Sequence, residues 1–100
     1  PGWVPVANDL AWLLSTTDVS ADEAAQGLEF AQLACRATQF KQPALLDTLA
    51  AAYAQNGQFE QAREMAQRAG EMFQAANHAA LAEQAWMRRD LYESKTPYRP

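Results

Sequence analysis

The sequence has no isoleucine, three valines and a single cysteine in 100 residues. Scarce β-branched residues remove the usual material of strands. One cysteine permits neither an intrachain disulfide nor a thiolate zinc cluster, so Cys35 reads as a small buried apolar residue on a helix. No stretch approaches the roughly 18 consecutive apolar residues of a bilayer span, and no basic head precedes an apolar run. Neither membrane insertion nor a signal peptide is expected; the compartment stays open, with the cytoplasm favoured. Residues 1 to 35 contain no Lys or Arg, only the acids Asp9, Asp18, Asp22, Glu23 and Glu29, and the net charge is −4. A protein that tracks phosphate backbones needs a basic stripe to release counterions, so nucleic acid is not an expected partner. His78 is the only histidine, which leaves no imidazole pair for a metal, and no glycine-rich phosphate loop occurs. No catalytic residue, metal or cofactor is expected, and the chain is read as a non-enzyme.

What is present is helix-forming material. Alanine supplies 22 residues and glutamine 10, against four glycines and five prolines, a balance that favours helix. At 49% hydrophobic the chain is one all-α domain, near the small end for a self-sufficient core. Punctuation divides it into five helices. Pro5 suits the first turn of a helix running to about Thr16. Ser20-Ala21-Asp22-Glu23 forms a capping box that opens a second helix, ending near Phe40. Pro43 opens a third, which Asn56-Gly57 closes with left-handed backbone angles. A fourth spans about Gln58 to Ala75, and Asn77 serves as N-cap of a fifth that reaches about Ser94. Short connections make consecutive helices antiparallel neighbours.

An internal echo links these helices. Gly27, Ala31 and Ala34 match Ala62, Ala66 and Ala69 at a separation of 35 residues, and Leu10-Ala11-x-x-Leu14 matches Leu49-Ala50-x-x-Tyr53 at 39. The pattern is that of two stacked copies of one helical hairpin. Small side chains on facing helices let the axes approach closely, so the three alanines of the fourth helix are expected contact points.

The stretch Leu46-x-x-Leu49-Ala50-x-x-Tyr53, followed by Gly57, Phe59, Ala62, Ala66 and Ala69, resembles the tetratricopeptide repeat, a family of antiparallel helical hairpins stacked as an α-solenoid. The likeness extends to the C-terminal repeats of large bacterial tetratricopeptide proteins. It departs from the family pattern at Ala11 and Ala50, where glycine is usual, and at Ala31 and Ala66, where an aromatic is usual. It implies residues 1–3 as the end of a preceding repeat, 4–42 and 43–76 as two repeats, 77–96 as a capping helix and 97–100 as a tail.

In such domains the first helix of each hairpin lines a concave groove. That register points Asn8, Trp12, Ser15, Asp47, Ala51 and Gln55 inward, with Ala82, Trp86 and Arg89 added by the capping helix. Two indoles, Trp12 and Trp86, are expected to flank a floor of small residues at Ala51 and Ala54 and to favour a peptide. The carboxylate clamp of chaperone-tail-binding members is missing, since its positions hold Asn8, Trp12 and Thr48. The resemblance therefore implies a scaffold that holds a peptide or protein segment. The alternatives are a homodimerisation module and a non-catalytic domain attached to a larger enzyme.

Overall fold

The computed structural model describes all 100 residues, Pro1 to Pro100. Five α-helices and no strand make up the fold: α1 (Trp3–Thr16), α2 (Ala21–Ala37), α3 (Pro43–Gln55), α4 (Phe59–Ala75) and α5 (Ala79–Glu93). No helix is long and apolar enough to cross a membrane.

The capping box forms as its residue pattern requires. The Glu23 amide donates to Ser20 Oγ and the Ser20 amide donates to Glu23 Oε1, both at 3.1 Å. These bonds hold the Glu23 carboxyl below its ordinary value. Pro43 occupies the first turn of α3, where its missing N–H leaves nothing unpaired. The first helix begins at Trp3, two residues ahead of Pro5. Trp3 is therefore the first residue of α1.

Four of the five helices end in one way. Gln39, Gly57, Asn77 and Lys95 take positive φ, between 56° and 77°. The amide that follows each reaches back five residues: Phe40 to the Cys35 carbonyl at 2.8 Å, Gln58 to Tyr53 at 2.9 Å, His78 to Phe73 at 2.8 Å and Thr96 to Leu91 at 3.0 Å. These are Schellman closures, and only one uses glycine. The other three carry no glycine marker, and two expected boundaries are corrected on that account. α2 stops at Ala37 and not Phe40, because the Thr38 hydroxyl donates to the Ala34 carbonyl at 2.9 Å and the chain turns left-handed at Gln39. Asn77 closes α4 instead of capping α5, which starts at Ala79.

Small residues set the helix spacing. A Cβ on Gly27 would lie 3.0 Å from Leu14 Cβ and 3.3 Å from Ser15 Oγ, so α1 and α2 touch nearly backbone to backbone there. Ala31, Ala34, Ala62, Ala66 and Ala69 are all buried, as the alanine stripe requires. At the end of α3, the Gln55 amide donates to the carbonyls of Leu14 (3.1 Å) and Thr17 (2.6 Å), and the Asn56 amide donates to that of Ala24 (2.9 Å). The end of α3 thus lies beside the end of α1 and the start of α2, which makes α3 parallel to α1 and antiparallel to α2. Leu45, Leu46 and Leu49 pack with Ala11, Ala31 and Cys35 in one core, while Tyr92 closes a second with Ala50, Ala54, Ala62 and Ala66. The Cys35 thiol lies 3.4 Å from the Leu45 carbonyl. Burial pushes its pKa up to about 11 despite the opposing charge of Arg68, so it carries no reactive thiolate at neutral pH.

Candidate binding cleft

The face made by α1, α3 and α5 holds a cleft of about 460 Å³ bounded by Asn8, Trp12, Asp47, Thr48, Leu81 and Arg88 among others. At its centre Arg88 Nη1 donates to Asp47 Oδ2 at 3.0 Å, with 13% of the arginine side chain and 15% of the aspartate side chain exposed. Burial raises the Asp47 carboxyl above its ordinary value, and the Arg88 charge works against that rise. The Arg88 guanidinium carbon also lies 5.3 Å from the Trp12 ring centroid and 4.7 Å from that of Tyr98. The two rings are 5.7 Å apart, tilted by 42°. A buried ion pair and two aromatic faces therefore share one guanidinium, an arrangement suited to arginine because its planar cation stacks and hydrogen-bonds at once.

Of the sequence-expected groove residues, the structure brings Asn8, Trp12 and Asp47 together in this cleft. Gln55 lies half-buried at the end of α3, bonded to α1. Ala51 is not a groove floor: it is completely buried, as are Ser15 and Ala82 to within 1%. Trp86 and Arg89 are also misplaced in the sequence-derived register. Arg89 Nη1 donates to Gln67 Oε1 of α4 at 2.6 Å. Trp86 fills the space over Gly70, where an added Cβ would fall 2.1 Å from its Nε1. The residues of α5 that do reach the cleft, Leu81 and Arg88, are the immediate neighbours in sequence of Ala82 and Arg89. One residue is about 100° of helix rotation. The slot at Gly70 accepts the indole and fixes α5 in that rotated setting.

Gly70→Ala is accordingly expected to destabilise the fold by about 1–3 kcal/mol, since the new methyl collides with the body of an indole ring. The combination Gly70→Ala/Trp86→Leu should recover much of the loss if the collision is its cause. Equal instability of the single and double variants in urea titration would refute this packing.

Sequence reasoning missed Arg88 in the cleft wall and Tyr98, which packs on Arg88 and Trp12 beside it. Arg88 shares a helix face with Leu81 and Gln84, and that spacing was the available signal. Tyr98 offered none, because it follows α5 in a segment without periodicity. No three His, Cys, Asp or Glu side chains gather as a metal-binding group.

Outside the cleft, α1 and α2 present a second apolar surface. Trp3, Val6 and Leu10 face Phe30 and Leu33 across a trench of about 340 Å³. No family model, curated protein or solved structure matches the chain.

Proposed function

We propose that this chain is a protein-interaction module of the tetratricopeptide kind, which holds a peptide or protein segment in the cleft between α1, α3 and α5. The observation that carries the reading is the composition of the cleft wall. An aromatic face, a mostly buried ion pair and an exposed aliphatic side chain, Leu81, border one depression, the mixture that anchors polypeptide ligands. The residue echo supports the stacked-hairpin part of the reading. Selection of displayed extended peptides on the folded chain tests the function. Binders are expected whose affinity falls at least about tenfold on Trp12→Ala, while the circular dichroism spectrum and cooperative unfolding persist. Binders indifferent to Trp12→Ala, or none at all, would reject the cleft as the site.

Self-association is the second reading, favoured by the trench. Val6, Leu10 and Leu13 are 60%, 41% and 57% exposed, whereas Leu45, Leu49 and Ala52, their counterparts 39 residues on, are 5%, 1% and 0% exposed. The same side-chain positions that α3 buries against its neighbours are left bare on α1. A second copy of the chain supplies helices with matching apolar faces. On this reading sedimentation equilibrium should show a dimer that Leu10→Glu dissolves, and a monomer at every concentration would exclude it.

A further inference from the structure

Residues 97–100 lie beside the cleft, with Tyr98 packed on two of the side chains that bound it, Trp12 and Arg88. After α5 the backbone reverses at Lys95, and the amides of Lys95 and Thr96 make the last backbone hydrogen bonds to the helix. From Pro97 to Pro100 no backbone hydrogen bond joins the segment to the body. Side chains alone hold it. The Tyr98 ring packs against Trp12 and Arg88, and Arg99 Nη2 donates to Gln55 Oε1 at 2.9 Å and to Asp18 Oδ1 at 3.3 Å. Two prolines, which lack an amide donor, flank this Tyr-Arg pair and favour an extended backbone.

Two neighbouring side chains therefore hold the segment, without a backbone ladder. The aromatic anchor meets an indole and a cation, and the cationic anchor meets Gln55 and Asp18 near the C-terminal ends of α3 and α1, beyond the residues that bound the cleft. Asp18 lies in the part of the chain that has no Lys or Arg, so the field around it favours a positive group. The Arg99 anchor is weak enough to release, while the half-buried Tyr98 ring also packs against the second core. The Arg99–Asp18 contact is exposed, with 38% and 99% of the two side chains open to solvent, and such pairs contribute little.

We propose that Pro97–Pro100 is a tethered ligand of the cleft, and that the cleft binds, from a partner polypeptide, an extended segment carrying an aromatic residue followed by arginine, which must displace the chain's own Tyr98 and Arg99. The proposal rests on the interaction-module reading and adds the chemistry of its ligand and a built-in competitor. A short tether gives its own segment an effective concentration on the order of millimolar. A free peptide of the same sequence therefore binds the intact chain poorly and a released chain well.

The test uses the full chain and a dye-labelled peptide of sequence Lys-Thr-Pro-Tyr-Arg-Pro, followed by fluorescence anisotropy. In the full chain, Tyr98→Ala/Arg99→Ala is expected to bind the peptide at least about tenfold more tightly than the unaltered chain. A peptide with alanine in place of tyrosine should not bind, and adding Trp12→Ala to the released chain should abolish binding. Because Arg99 is exposed, Arg99→Ala alone leaves folding undisturbed and should give an intermediate gain. Equal affinity of the unaltered and released chains, or no binding by either, overturns the proposal. So does a concentration-dependent dimer dissolved by Tyr98→Ala, which would place a second copy's segment in the cleft. If displayed peptides bind in a Trp12-dependent manner while this peptide does not, the tethered-ligand inference fails and the module reading stands. If neither binds, both fail.

Discussion

Leu49→Ala is expected to lower the stability of the chain by about 2–5 kcal/mol, while Gln61→Ala changes it by no more than about 0.5 kcal/mol. Leu49 is 1% exposed in the larger core, where Ala11, Ala31 and Cys35 are among its cluster neighbours. Those neighbours are short and belong to helices already in close contact, so they cannot move inward to fill the lost volume. The measured value should therefore lie toward the upper end of the range. Gln61 is exposed on α4, where alanine is the better helix former. Urea titration of both variants gives the comparison, and a Leu49→Ala loss below that of Gln61→Ala would contradict the packing.

Arg88→Met is expected to cost about 2–4 kcal/mol at neutral pH, somewhat less than breaking a fully buried pair because both side chains keep an exposed fringe. The loss comes from stranding Asp47, whose carboxylate keeps its burial and loses its counter-charge. The double variant Arg88→Met/Asp47→Leu should accordingly be more stable than Arg88→Met alone. The pH dependence follows from the direction of the Asp47 shift. Burial already raises that carboxyl above the ordinary aspartate value of 3.8, and Arg88 is the opposing influence. Removing Arg88 raises it further. A group whose folded pKa exceeds its unfolded value gives stability that is full below the unfolded pKa and is lost as pH rises through the folded one. The gap between Arg88→Met and the unaltered chain should therefore be small below about pH 3.8 and widen above it. A gap of constant size from acid to neutral pH would mean that the stranded carboxylate is not its cause.

By itself, the amino-acid pattern determined the five helices, the Ser20–Glu23 cap, the proline start of α3, the Asn56-Gly57 stop and the buried alanine stripe. Each of these depends on residues within a turn or two of one another, and capping, backbone angle and apolar spacing act at that range. The groove register expected from the family resemblance pointed Asn8, Trp12 and Asp47 inward, and all three border the cleft. Only the tertiary structure decided the rotation of α5, and with it the exchange of Arg89 for Arg88 in the cleft and of Trp86 from cleft to helix interface. That rotation is set where an indole meets the bare backbone of Gly70 on another helix, and no periodicity within α5 records it. The Arg88–Asp47 pair joins residues 41 apart in sequence, and the Arg99–Asp18 contact joins residues 81 apart. Such contacts form because the packed helices bring side chains together in space, and local sequence carries no information about that meeting.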